Sequence, residues 1–97
     1  MAGALVVANL RFTDKERYLR YAAAFPAVFA TSGGQVLAAD EEPKPFDGDG
    51  AGVDKIVILR FGSEDAARAF LNSPEYLRIC EDRDAGAKLD SWIVRSF

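Results

Sequence analysis
The 97-residue sequence contains no histidine, one cysteine, one tryptophan and one methionine. Without imidazole the commonest general base and metal ligand is missing, so acid–base chemistry would fall to carboxylates, tyrosine, cysteine or the substrate itself. Cys80 has no partner for an intramolecular disulfide, which fits a reducing compartment. No apolar run approaches the ~20 residues needed to span a bilayer. The greasy stretch Ala4 to Leu10 is short, lacks a basic leader and runs into a charged turn, so it reads as a strand and not a signal peptide. A cytoplasmic location without membrane contact is therefore expected. Basic residues are also scarce, 12 Lys and Arg against 15 Asp and Glu for a net charge of −3, the reverse of the clustered basic surface that nucleic-acid binding needs.

The composition that remains, 49% hydrophobic and 28% charged, is that of an ordinary globular protein. It supports a single domain over residues 1–97 that buries roughly two-thirds of the surface of its unfolded chain. Ala4 to Phe12 is apolar on both parities except at Asn9 and Arg11, which predicts a central strand covered on both faces. Thr13-Asp14-Lys15-Glu16 then has the spacing of a capping box with Thr13 as the cap. Tyr18, Tyr21, Ala22, Phe25 and Phe29 recur at helical intervals behind it. Pro26 predicts a kink or break near Phe25, and Gly33-Gly34 an end to the segment.

A second strand is expected over Gly34 to Glu41, an exposed loop over Glu42 to Asp54 and a third strand over Lys55 to Phe61. Ser63 and Ser73 are placed to cap two successive helices, the second opening on Pro74, where a missing N–H costs nothing, and running to about Lys88. Leu89 to Phe97 closes the chain as a fourth strand. The order βαββαβ with a split second helix is the α+β ferredoxin-like sandwich, a four-stranded antiparallel sheet with its helices on one face. Two apolar sets occupy its two parities, Leu5, Val7, Ile56, Ile58 and Ile93 on one and Val6, Val57, Leu59, Phe61, Trp92 and Val94 on the other. A lone sheet of this kind would show water a large apolar patch, so dimerisation through the sheet face is expected.

Several of these residues together resemble the domain of unknown function 1330 family, within the dimeric α/β-barrel superfamily. They are Asp14, Tyr18 and Tyr21, Gly33-Gly34, Asp47-Gly48, Phe61, Ser63, Ala67, Phe70, the string Ser73-Pro74-Glu75-Tyr76, and Arg83. The resemblance implies a homodimer and no known cofactor, with no established activity. The chain departs from the family pattern at Ser32, where His is usual, and at Arg60 and Arg95, where carboxylates are usual. By strand parity Arg60 and Arg95 are expected on the face opposite the helices, at the same end, flanking the first strand at roughly 10 Å. With Asn9 they are candidates for the dimer face or for an anion site, since guanidinium groups present paired donors to carboxylate or phosphate.

Tyr18, Tyr21, Tyr76 and Arg83 are the ligand-binding candidates, converging between helices and sheet; the competing reading is an aromatic core with Arg83 paired to Asp14 or Asp84. Asp47-Gly-Asp49-Gly-Ala51 fails as a calcium loop, because the fifth position is alanine and the twelfth, Ile58, is apolar. Its glycines lack the lysine and the strand-to-helix setting of a phosphate loop. Cys80, on a helical stripe with Tyr76 and Leu77, reads as a small buried hydrophobe. No metal and no cofactor is expected. The functional expectation is a small homodimer with a cofactor-independent small-molecule site between helices and sheet, and the alternative is a non-catalytic dimeric binding or accessory module. Relatives of this architecture include cofactor-free monooxygenases and isomerases, and that analogy alone suggests chemistry.

Overall fold
The computed structural model describes residues 3–97. The strands are β1 (Ala4–Phe12), β2 (Gln35–Asp40), β3 (Lys55–Phe61) and β4 (Ala87–Arg95), and the helices α1 (Lys15–Phe29), α2 (Glu64–Leu71) and α3 (Pro74–Gly86). The sheet order is β2-β3-β1-β4, antiparallel throughout, so the apolar β1 is central as its sequence requires. The fold is ferredoxin-like.

Local chemistry sets the helix ends. Ser63 Oγ accepts from the Ala66 amide at 3.0 Å and Ser73 Oγ from the Tyr76 amide at 3.3 Å, each satisfying a donor that the helix leaves open. At α1 the cap is Asp14, not Thr13: the Asp14 carboxylate accepts from Arg17 N, while the Thr13 amide is tied to Gly86 O at 2.9 Å. A carboxylate at this end also suits the helix dipole.

Nor is α1 broken at Pro26. It runs on to Phe29, because the last turn is held by aromatic packing. Phe25 and Phe29 stack at 5.0 Å, and Phe29 meets Phe70 edge-on at 5.3 Å and Phe61 at 5.9 Å. Such pairs contribute about 0.5–1.5 kcal/mol each beyond area burial, enough together to offset one lost backbone bond. The chain then turns through Gly33, at φ +78°, and Gly34, where a Cβ would lie 2.8 Å from both Phe29 and Phe61. Ser32 Oγ accepts from the Gly34 amide at 3.0 Å and fixes that turn.

The helix-facing core comprises Val6 and Leu10 of β1, Leu59 and Phe61 of β3, and Tyr18, Tyr21, Phe29, Ala67, Phe70, Tyr76 and Cys80 of the helices. Leu77, expected beside Cys80, is 52% exposed.

Register corrects one parity. Ile93 pairs with Val6 and so faces the helices, whereas Trp92 pairs with Val7 and Val94 with Leu5, which puts both on the open face. Arg60 pairs with Leu5 and is also on the open face, but Arg95 pairs with Ala4 on the helix side, where it shares a surface depression with Glu64 at the start of α2. The two arginines therefore lie at one end of β1 on opposite faces and form no joint site. Trp92, Ile93 and Val94 are apolar in succession, so alternation around them does not separate the two faces of β4. Asn9, opposite Ile56 and Asp90, lies on the open face as expected.

Candidate functional site
A cavity of about 230 Å³ lies between the helices and the sheet, and its walls include Tyr18, Tyr21, Tyr76 and Arg83, all four residues singled out from the sequence. Tyr18 and Tyr21 come from α1, and Tyr76 and Arg83 from α3, two turns apart on one face. The floor is apolar, built from the inward parity of the strands: Val6, Ala8 and Leu10 of β1, and Val57 and Leu59 of β3. Val36 and Ala39 on the edge strand β2 line the cavity while remaining exposed, as does Ser91 on β4, so it opens at the sheet margins.

The two helices are locked at the height of the site. Gly86 O accepts from both the Thr13 and Asp14 amides, at 2.9 and 3.1 Å. A Cβ on Gly86 would stand 2.6 Å from Asp14 O, so only glycine permits this approach. One turn further along, Arg17 Nε donates to Asp82 Oδ1 at 2.8 Å.

The polar centre is a chain of three groups. Arg83 Nη1 donates to Tyr76 Oη at 3.2 Å, and Tyr76 Oη lies 2.9 Å from Tyr21 Oη. When Tyr76 donates onward, the Tyr21 hydrogen is free to meet a ligand oxygen; when Tyr21 donates, its oxygen remains free to accept. Arg83 itself is anchored to Asp84 at 2.9 Å, with its side chain 20% exposed and its guanidinium 5.9 Å from the Tyr76 ring centre.

Burial pushes the Tyr21 phenol far above its ordinary range, and Tyr76 adds to the effect. Burial also raises Tyr76, against its hydrogen bond with Tyr21 and the charge of Arg83. Burial alone would lower Arg83, but Tyr76, Cys80 and Asp84 outweigh it and hold the guanidinium above its ordinary value. Burial likewise raises the Cys80 thiol. At neutral pH Tyr21 and Tyr76 therefore present protonated phenols to the site and Arg83 a permanent cation, while the Cys80 thiol, outside the lining, stays neutral.

Lys55 is the residue that sequence reasoning missed. Its side chain is 11% exposed, lines the cavity, and places Nζ 5.0 Å from the Tyr18 ring centre and 3.8 Å from Glu41 Oε2. Its parity was the available signal, since Lys55, Val57, Leu59 and Phe61 share the inward side of β3. Arg60, Arg95 and Asn9 take no part in the cavity. Among the described residues no group of three or more His, Cys, Asp or Glu side chains could hold a metal ion, and no helix is long and apolar enough to cross a membrane.

Several solved structures share the fold. A protein of unknown function from Rhodopseudomonas palustris superposes with a TM-score of 0.77 at 20% identity, covering 98% of this chain and 81% of that one. SnoaB, a cofactor-independent oxygenase from Streptomyces nogalater, gives 0.74 at 14% identity, covering 100% of this chain and 95% of its own. A dimeric ferredoxin-like protein of unknown function from Bacteroides fragilis gives 0.67 at 12% identity, with 97% and 94% covered. At these identities the likeness establishes the architecture. No curated protein matches the sequence significantly. The family described as a domain of unknown function, DUF1330, matches residues 3–97, and the chain belongs to that family.

Proposed function
We propose that the protein is a homodimer whose subunits each carry a cofactor-independent small-molecule site in the cavity between helices and sheet. The observation that carries this reading is the convergence of Tyr18, Tyr21, Tyr76 and Arg83, with Lys55, on one cavity whose remaining lining is mostly apolar, the usual composition of a small-molecule pocket. An apolar ring would occupy the floor, and one of its oxygens would bond to the Arg83–Tyr76–Tyr21 chain. The open sheet face, bearing Trp92 at 51% and Val94 at 41% exposure, is the surface a second copy would cover, and the Bacteroides neighbour, itself dimeric, supports a dimer. The SnoaB neighbour supports chemistry without a cofactor on the same architecture, with desolvation and a few hydrogen-bond donors as the catalytic means. A cytoplasmic location accords with the single unpaired Cys80.

A second reading, a non-catalytic binding or accessory module, is favoured by one observation. Among the described residues no carboxylate or imidazole lines the cavity, and Tyr21 and Tyr76 hold their protons, so these groups offer no general base. The test is a screen of small aromatic compounds by thermal shift and protein-observed NMR on wild type and Arg83→Ala. The proposed site requires hits that stabilise wild type, perturb Tyr21 and Tyr76 signals and respond differently to Arg83→Ala. No hit in wild type, or identical shifts in the variant, would sink it. Turnover of any hit in air would decide for the enzyme over the module.

A further inference from the structure
Resting on the small-molecule reading above, we infer that the cavity selects a monoanion, a single substituted ring bearing a carboxylate or an acidic enol or phenol oxygen. The charge of the lining carries this step. The protein as a whole is acidic, at −3, yet among the described residues the only charged side chains that line the cavity are Lys55 and Arg83. Each has a counter-ion, but that counter-ion faces the solvent. Glu41 is 40% exposed and sits closer to Lys15, at 3.0 Å, than to Lys55, at 3.8 Å. Asp84 is 60% exposed behind Arg83.

Burying an ammonium without close pairing is costly, and a leucine or methionine would fill the inward position of β3 without that cost. Lys55 is therefore positioned to be completed from inside the cavity, and Arg83, though paired with Asp84 at 2.9 Å, adds a second positive charge to the same lining. Apolar walls strengthen an ionic contact by excluding water, so a bound anion would gain far more here than at the surface. Because Glu41 and Asp84 already offset part of the positive charge, one negative charge balances the site and two would exceed it. Size limits the ligand's body: a cavity of about 150 Å³ takes a benzene ring, so 230 Å³ takes one ring with a short substituent. The Tyr18 ring adds an aromatic wall to the space such a ligand would fill.

The probes are 4-ethylbenzoate, 4-ethylbenzamide and 4-ethylbenzylammonium, matched in shape and differing in charge, titrated calorimetrically into wild type, Lys55→Met and Arg83→Met. The expected result is that the benzoate binds wild type at least tenfold more tightly than the amide, with the ammonium weakest. Each substitution should remove most of that preference. If the amide equals or exceeds the benzoate, the inference falls while the small-molecule site stands. A benzoate preference that survives both substitutions places the anion elsewhere and also overturns it. If none of the three binds at millimolar concentration, the site reading fails and this inference fails with it. Should either variant unfold by circular dichroism, the benzoate-to-amide ratio of wild type decides: tenfold supports the inference, parity overturns it.

Discussion
Tyr21 of α1 and Tyr76 of α3 meet oxygen to oxygen at 2.9 Å inside the cavity, and of the two phenols Arg83 donates only to Tyr76. Tyr76 is thus the middle of the chain and Tyr21 its end, which makes the two hydroxyls unequal although both phenols are buried.

Removing the end of the chain leaves Tyr76 still bonded to Arg83, whereas removing the middle leaves both a guanidinium donor and a phenol unpaired. A buried group stripped of its partner costs about 1–3 kcal/mol, more when charged, against about 0.5–1.5 for an ordinary lost bond. Tyr76→Phe should therefore destabilise the protein more than Tyr21→Phe in urea unfolding. Equal losses, or the reverse order, would show that Arg83 does not depend on Tyr76.

Both phenols are raised, and the sign of the linkage follows. A group that holds its proton more tightly when folded supports the fold while pH stays below its unfolded value near 10, and that support is lost as pH climbs above it. Absorbance at 295 nm should show phenolate from Tyr21 and Tyr76 emerging only above pH 10 and together with loss of circular dichroism. Ionisation of both at pH 10 in a fully folded protein would contradict their burial.

Part of the cavity was legible in the sequence because four of its polar members sit at helical spacings that topology brings together: Tyr18 and Tyr21 on α1, Tyr76 and Arg83 seven residues apart on α3. The strand bounds of β1 and β3 were legible for the same reason, a clear apolar run closed by charge or glycine. What escaped notice was set by tertiary contact. Lys55 looks like a strand-leading surface lysine until pairing with Leu10 fixes its inward side. Gly86 looks like interior helix until α1 is packed on it, and that same contact takes Thr13 from its expected role as a cap. Arg95 was misplaced because Trp92, Ile93 and Val94 are all apolar and only hydrogen-bond register separates their faces.

Gly86 offers a sharp packing test. The added methyl of Gly86→Ala would meet Asp14 O at 2.6 Å, and the nearest atoms are backbone that cannot rotate aside. Overpacking of this kind costs about 1–3 kcal/mol, which in a domain of this size lowers Tm by about 4–8 °C per kcal/mol. Because the strain separates α1 from α3, the Tyr21–Tyr76 bond should weaken too. A wild-type Tm would mean that the helices do not approach this closely.

The corrected register turns the two unusual arginines into a matched pair of probes for the dimer. Arg60 lies on the open face with Leu5, while Arg95 lies on the helix side beside Glu64, yet both are exposed and near the same end of β1. If a second copy covers the open face, Arg60→Glu places a reversed charge at that contact, and Trp92→Glu places one amid its apolar surface. Arg95→Glu alters net charge as Arg60→Glu does, but on the far side of the sheet. In sedimentation velocity at micromolar concentration, Trp92→Glu should give monomer and Arg60→Glu a weakened dimer, while Arg95→Glu should sediment as wild type. A charge change inside a desolvated contact costs several kcal/mol, and one in solvent costs little, so the contrast should be large. Equal behaviour of the two arginine variants would mean that the contact, if formed, does not use the open sheet face.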